Sequence, residues 1–307
     1  MIDVVIVTAN SREIVLDCLA HVESSLVART IVVDNAGSDG SAAAIAEAFP
    51  ATNIVTLEEP RPLSSAYNRG AEAASADSLL FLNDDVFASP GAIDTLAAAL
   101  DERQDAVAAA GRLVDPEDGT TQREYQPRGF PTLATFLAAL AGLQDVWPTN
   151  PWTGRHLRQP LDDTETAVVD YAPGACLLVR RAAFEALGGW DERYAFWYED
   201  VDLALRLGRF GHVLYVPTAV FGHVGGHSGR RLSRAEVVRR SYSGVLRYGE
   251  GHLPGWRRRL LGAAFALSAT VKAPLVQRRD AELASAYRSV RQAGLRLARG
   301  RPLDAGA

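Results

Sequence analysis

An α/β fold built on a parallel sheet is what this sequence predicts, and three observations predict it. Short β-branched or apolar runs recur along the first 112 residues, Ala-rich segments of helical length separate them, and Asn83-Asp84-Asp85 directly follows the run at 79–82. Alternating strand and helix periods indicate a parallel sheet, and polar residues just past such strands stand where these sheets bind ligands.

The elements follow in order. Ile2-Asp-Val-Val-Ile-Val-Thr8 is a nearly continuous β-branched run, expected of a strand buried on both faces. A helix-like segment follows it. Residues 31–34, 54–57 and 79–82 repeat the theme, spaced by helix-length segments such as 41–49 and 64–76. Ser89-Pro90 predicts a helix start, with the hydroxyl as N-cap and proline at the first helical position, before residues 92–100. From about 113 to 165, Pro, Gly, Asp and Thr cluster around a short helical stretch at 132–143, which reads as a loop-rich insertion. The apolar run 175–179, a short helix over 181–187, a Gly188-Gly189 break and a helix over 199–209 restore regularity. Ser233-Arg-Ala-Glu236 has capping-box spacing, so a helix opens there and runs to about Tyr248, with two more near 256–272 and 279–299.

Composition narrows the function classes. The 307 residues, 48% hydrophobic and 22% charged, suit a folded enzyme and exclude a disordered or collagen-like chain. Cys18 and Cys176 lack metal-ligand or disulfide spacing and read as buried thiols in a reducing compartment. The N-terminus enters a strand at once, without signal-peptide organisation, so the expected location is cytoplasmic. The net charge of −5 conceals a division. Residues 1–222 carry 15 Arg and no Lys against 32 acids, a balance of −17, whereas the remaining 85 carry 16 Arg and Lys272 against five acids, a balance of +12. Such a tail either meets something anionic or simply neutralises the acidic body. Trp256-Arg-Arg-Arg259 followed by the nearly uncharged 260–276, interrupted by Lys272 and Pro274, is short for a membrane span and suits an interfacial helix on anionic lipid or a helix docked on the rest. Nucleic acid is not expected, because the basic residues are not interleaved with stacking aromatics.

Four clusters carry chemistry. Asn83-Asp84-Asp85 follows a strand, and adjacent hard oxygen ligands suit Mg²⁺ or Mn²⁺, although polar turns also use these residues structurally. Glu199-Asp200-Val201-Asp202 opens a helix, where the dipole alone favours acids. Trp190 and Trp197, beside the Gly188-Gly189 break, have the makings of a sugar-binding wall, and equally of ordinary core. His223 and His227 lie in a Gly-rich turn and could reach a metal or stand on the surface. Dinucleotide, Walker-type and Gly-x-Ser-x-Gly signatures are absent.

In order, Val5–Asn10, Val32–Asn35 with Ser38–Ser41, Ala66–Gly70, Leu82–Asp85, Gly174–Arg181, Gly188–Glu192, Glu199–Leu203 and His223 with Ser228 resemble the family 2 glycosyltransferases, closest to their rhamnosyltransferase-like branch. The resemblance covers about residues 1–228 and implies a nucleotide-diphospho-sugar transferase fold of the GT-A type, with a central mostly parallel sheet. It implies a catalytic domain over 1–228, with a nucleotide-sugar half at 1–112 and an acceptor half at 113–228, followed by a basic helical extension at 229–307. Thr8, Asn10, Asp34, Asn68 and Asp84 fall in the donor-binding blocks; Asp85, with His223, matches the metal-holding positions; Asp200 matches the catalytic base, flanked by Glu199 and Asp202; Trp190 and Trp197 face the acceptor. The implied reaction is inverting transfer of a hexose, with L-rhamnose from dTDP-rhamnose as best guess and UDP-galactofuranose as another donor, to a glycan or lipid-linked acceptor in cell-wall or surface polysaccharide synthesis. Peripheral contact with the inner face of the plasma membrane would fit such an acceptor. A catalytically inactive binding module and a nucleotidyltransferase are the competing classes, and the intact acidic set speaks against the first. The chain departs from the pattern at Ala9, where a base-stacking tyrosine is usual, and at Pro60 and Pro62, which replace Asn and Gly.

Overall fold

In the computed structural model, which describes residues 1–157, 163–226 and 232–304, the N-terminal β-branched run forms a strand in which every residue is buried. The elements are β1 (Ile2–Thr8), α1 (Arg12–Ala20), β2 (Val27–Asp34), α2 (Ser41–Ala48), β3 (Asn53–Thr56), α3 (Leu63–Glu72), β4 (Ser78–Asn83), β5 (Val86–Ala88), α4 (Ala92–Glu102) and β6 (Ala106–Val114). There follow α5 (Leu133–Leu140), α6 (Leu143–Val146), α7 (Pro151–Leu157), β7 (Ala167–Val169), β8 (Cys176–Arg180), α8 (Arg181–Ala186), α9 (Glu199–Leu207), β9 (His212–His223), α10 (Arg234–His252), α11 (Gly255–Val276) and α12 (Ala281–Ala298).

The described residues fall into two compact units. The first is drawn from residues 1–128, 160–191 and 200–225, and the second from 129–159, 192–199 and 226–307. Segments 129–159 and 192–199 thus group with the C-terminal helices. The expected boundary near residue 228, with His227 and Ser228, lies outside the described residues.

The first unit holds a nine-stranded sheet of order β3-β2-β1-β4-β8-β6-β9-β5, with β7 on β9. Its first four strands are parallel, joined by the helices that crossover connections require, while β8 runs antiparallel to both β4 and β6. The register aligns the carboxyl ends of the parallel strands: Thr8 pairs with Asp34, Asp34 with Thr56, and Val7 with Asn83. One edge of the sheet therefore gathers the polar residues. The core beneath is apolar, from Val4 and Ile6 through Leu80 and Leu82 to Leu214 and Phe221, and takes in both cysteines, whose thiols burial pushes up, that of Cys176 to about 12.

Two local expectations change. Helix α4 is capped by Gly91 at φ +76°, not by Ser89, whose carbonyl instead accepts the Ala92 N–H at 2.9 Å; the left-handed turn that starts the helix is open to glycine at little cost. Strand β6 lies where no strand was expected. Its alanines favour a helix in isolation, but small side chains fit a strand covered on both sides, and a Cβ at Gly111 would come within 2.4 Å of the Phe221 ring.

In the second unit α10 opens on the anticipated capping box: Ser233 Oγ accepts the Glu236 N–H at 3.2 Å, and the Glu236 carboxylate accepts the Ser233 N–H at 3.0 Å. Helices α11 and α12 meet backbone to backbone through Gly262 and Gly294, since a Cβ on Gly262 would lie 2.6 Å from the Gly294 carbonyl. By length and composition α11 could cross a membrane, and it is longer than the apolar run suggested. Trp197 and Tyr198 are consecutive left-handed residues at φ +67° and +72°, a costly conformation for side chains of this size. Gly244 of α10 accommodates them, as a Cβ there would sit 2.9 Å from the Trp197 carbonyl.

Candidate active site

The acidic turn is made by the sheet. Asp84 and Asp85 occupy the tight turn between β4 and β5, and the antiparallel pairing of β5 with β9 sets Val86 opposite His223. Both aspartates are buried, at 7% and 4% exposure. Burying carboxylates costs heavily unless partners hold them. Thr8 Oγ1 donates to Asp84 Oδ2 at 2.9 Å, which binds the end of β1 to the turn. Asp85 Oδ1 lies 3.6 Å from His223 Nε2.

The state of His223 follows from Gln122. The Gln122 amide N–H donates to the His223 carbonyl at 2.7 Å, which turns its Oε1 toward His223 Nδ1, 2.8 Å away. Nδ1 must then carry the proton, leaving the lone pair on Nε2. Burial pushes the imidazole pKa down to about 4 against an upward pull from Glu124, so the ring is neutral at pH 7. Two electron-rich atoms, Nε2 and Asp85 Oδ1, thus face each other in a buried place. A cation between them would relieve that opposition, and the Nδ1 contact is the orienting bond that metal-bound histidines make. Among the described residues no group of three or more His, Cys, Asp or Glu side chains converges. Two protein ligands suit Mg²⁺ or Mn²⁺ completed by phosphate oxygens and water, and the residues fit that group.

The loops after β1 and β2 are strapped together beside this turn. Asn10 Oδ1 accepts the Ser38 N–H at 2.7 Å and Asp34 Oδ1 accepts the Gly37 N–H at 2.9 Å. Asn10 and Ala36 adopt left-handed backbone at φ +56° and +58°. Such strain persists where surroundings impose it, and it gathers at binding sites. A cleft of about 380 Å³ opens past β3, lined by Thr56, Leu57, Glu58, Glu59, Arg61 and Arg69.

The second acidic cluster divides its labour. Asp200, half-buried at the start of α9, accepts the Val201 N–H on Oδ1 at 2.8 Å and the Gly174 N–H on Oδ2 at 3.2 Å. Burial raises its pKa above the ordinary carboxylate value, opposed by those amides and by Arg128. The next residue, Ala175, accepts the Asn83 N–H at 3.0 Å, so Asp200 and the acidic turn hang from adjacent residues of the segment leading into β8. Asp202 is structural. Only 2% exposed, it pairs with Arg206 at 2.6 Å, and Arg206 in turn donates to the carbonyl of Gly189 at 2.8 Å. Glu199 adjoins Asp200 in the chain and opens the helix.

Two expected contact residues serve the fold instead. Trp190 is 2% exposed, stacked on Tyr67 at 5.4 Å and edge-on to Phe81 at 5.3 Å, so it is core and not an acceptor wall. Asn68, expected on the nucleotide, commits both ends of its amide to the Trp190 main chain, at 2.9 Å each. Gly189 permits the latch, because a Cβ there would meet Asn68 Oδ1 at 2.6 Å. Thr8, 1% exposed, stands behind Asp84. Trp197 is half-buried in the second unit, edge-on to Phe196 at 4.6 Å. Gln122 and Arg128 were not anticipated; each lies in the loop-rich stretch, where periodicity gives no signal.

Comparison with known proteins gives the family and the fold. The family described as Glycosyl transferase family 2 matches residues 3–188. An N-acetylglucosaminyl-diphospho-decaprenol L-rhamnosyltransferase of Mycobacterium tuberculosis is 31% identical over 283 residues, 88% of this chain and 88% of that protein. The fold is similar to that of GalNAc-T7 with UDP, GalNAc and Mn²⁺ (TM-score 0.54, 17% identity), where the match covers 83% of this chain and 51%, about half, of the other. It is also similar to the mannosyltransferase PcManGT of Pyrobaculum calidifontis with GDP-Man and Mn²⁺ (TM-score 0.51, 18% identity, 97% of this chain and 86% of that one). With its family matched over more than half its length and a close-length relative at 31% identity, the chain belongs to the family 2 glycosyltransferases.

Proposed function

We propose that this protein transfers a hexose, L-rhamnose from dTDP-rhamnose, with inversion onto a hydroxyl of a lipid-linked acceptor in cell-wall or surface polysaccharide synthesis. The rhamnosyl group and the acceptor are carried over from the mycobacterial relative, named an N-acetylglucosaminyl-diphospho-decaprenol L-rhamnosyltransferase, and dTDP as the nucleotide from the family resemblance. The work would be done on the cytoplasmic side, at the inner face of the plasma membrane. The observation that supports the reading is that Gly174 binds Asp200 while the next residue, Ala175, binds Asn83 at the head of the Asp84-Asp85 turn, so one segment holds both acidic clusters.

The residues divide the reaction as follows. Thr8 and Asp34 match the positions that hold base and ribose, Asn10 lies in the same donor-binding block, and Asp84, to which Thr8 donates, faces the donor. Asp85 and His223 hold Mg²⁺ or Mn²⁺, which when bound supplies charge neutralisation to the diphosphate leaving group. The acceptor oxygen attacks the anomeric carbon from the face opposite the diphosphate, the glycosidic C–O bond breaks, and the hydroxyl proton passes to the Asp200 carboxylate. A raised pKa improves that transfer, since a base nearer neutrality holds the proton better. Glu199 and Trp197 lie beside the base in sequence, Glu199 as support for its geometry.

The test is to supply the protein with dTDP-rhamnose, UDP-galactofuranose and other nucleotide sugars, with Mn²⁺ and a lipid-linked N-acetylglucosaminyl diphosphate, and to follow glycolipid product and nucleoside diphosphate. Acceptor-dependent dTDP release from dTDP-rhamnose is expected. Release with UDP-galactofuranose alone would replace the donor, and no turnover with any donor would leave an inactive binding module.

A further inference from the structure

Helix α11 buries one face and exposes another that is just as apolar. Leu261, Phe265, Ala266, Ala269 and Ala273 are buried in the second unit. On the opposite side Trp256, Leu260, Leu267, Val271 and Leu275 are exposed, the last three to 68%, 54% and 73%. At 3.6 residues per turn their spacings of four and seven keep them on one stripe, running the length of a helix ~30 Å long. An exposed stripe of this kind marks a surface that meets something.

Charge says what. From Gly251 to Arg279 the chain contains no Asp or Glu, and it carries Arg257, Arg258 and Arg259 at one end of the helix and Lys272, Arg278 and Arg279 at the other. Elsewhere in the same unit Arg240, Arg247 and Arg296 are paired with Glu236, Glu250 and Asp304. Arg257 lies over the Trp256 ring, 5.2 Å from its centroid, and Lys272 over Tyr242 and Tyr287 at 5.8 and 5.9 Å. An apolar stripe ending in cations and free of acids matches the boundary of an anionic bilayer, where side chains enter the acyl region and arginines stay among the phosphates. A second copy of the chain fits poorly, since either antiparallel or parallel apposition would bring arginine clusters together.

We propose that α11 lies in the plane of an anionic membrane, with Trp256, Leu260, Leu267, Val271 and Leu275 inserted and the terminal arginines on lipid phosphates. The inference deepens the proposed function, on which it rests for the side of the membrane and the lipid-linked acceptor. Helix α11 does not span the bilayer, because its other face is taken up by its own unit.

The experiment is co-sedimentation of the full chain with vesicles of phosphatidylcholine alone and of equimolar phosphatidylcholine and phosphatidylglycerol, at low and high salt. Binding to the anionic vesicles only, weakened by salt, is expected. Leu267→Glu with Leu275→Glu should weaken it at least ~10-fold, with the melting temperature and dTDP release from dTDP-rhamnose in the presence of a soluble acceptor unchanged. If that variant melts early, Arg278→Glu with Arg279→Glu reads the same contact from its charged end and should also weaken it. Failure of the parent to sediment at low salt, sedimentation of these variants like the parent, or a dimer by light scattering that the leucine substitutions dissociate, would each overturn the proposal. Vesicle binding needs no donor, so an enzyme that binds lipid but transfers nothing would sink the proposed function and leave the membrane face standing.

Discussion

The two acidic clusters of the first unit use the same side chain for different ends. In the Asp84-Asp85 turn the sheet itself builds the site: β4 ends, β5 turns back onto β9, and Asp85 arrives opposite a neutral histidine. At the start of α9 the carboxylates are sorted by their partners. Asp200 accepts the Val201 and Gly174 main-chain N–H groups and feels Arg128 through space, whereas Asp202 is paired directly with Arg206. The lesson is that an aspartate's role follows from what its oxygens face: a lone pair, an amide or a guanidinium.

Three changes sharpen that contrast. The largest stability effect belongs to Asp202, because Asp202→Ala leaves a buried cavity and a half-buried Arg206 guanidinium held only by the Leu187 and Gly189 carbonyls; a loss of about 3 kcal/mol in denaturant unfolding is expected. Nucleotide-sugar binding by the fraction that remains folded should be preserved. A loss under about 1 kcal/mol would move Asp202 out of the structural class.

The next effect is a pH dependence. The folded His223 ring has its pKa pushed to about 4, below the ordinary value near 6.5, so between these two pH values the unfolded chain binds a proton that the folded one does not. Its contribution to stability is therefore complete above pH ~6.5 and lost as pH falls through ~4, by about 3 kcal/mol in all. Unfolding curves in chelator should show the parent losing that much more than His223→Asn on acidification from pH 7. Parallel pH curves for the two proteins would contradict the buried neutral ring.

Smaller in energy but more specific is Asp85→Asn, which keeps the shape of the turn and weakens its hold on a cation. Calorimetry should show donor affinity in Mn²⁺ reduced at least ~10-fold, to the level the parent shows in chelator. An unchanged affinity, equally sensitive to Mn²⁺, would remove Asp85 from the diphosphate.

Much of this was legible in the sequence. The β-branched runs gave β1 and β2 and the apolar run 79–82 gave β4, and so the edge that carries Thr8, Asp34 and Asp84, because a strand buried on both faces has little choice of composition. Helices α10 to α12 were legible from a capping box and from length. The alanines of β6 hid a central strand, and β9, twelve residues long with Pro217 inside it, announced only its last few. Those two strands position His223, so its proximity to Asp85 could be guessed from the family resemblance but not from local pattern. Trp190 was misjudged for a related reason. An aromatic after Gly-Gly looks like a binding wall until the chain reversal at Gly188 and Gly189 turns it into the core. Gln122 and Arg128 fix the state of His223 and temper Asp200, yet they sit in irregular backbone, where only tertiary contacts give a residue its meaning.

The most direct test of the account is Asp200→Asn, measured beside the parent for melting temperature, donor affinity and turnover. The amide keeps the size of the carboxylate, and its one oxygen can still accept either the Val201 or the Gly174 N–H, but it cannot take a proton at neutral pH. Turnover should fall by ~10²–10⁴ while melting temperature and donor affinity stay close to the parent's. Turnover within a few-fold of the parent, or a collapse of stability with full specific activity in the folded fraction, would contradict the assignment of Asp200 as the base.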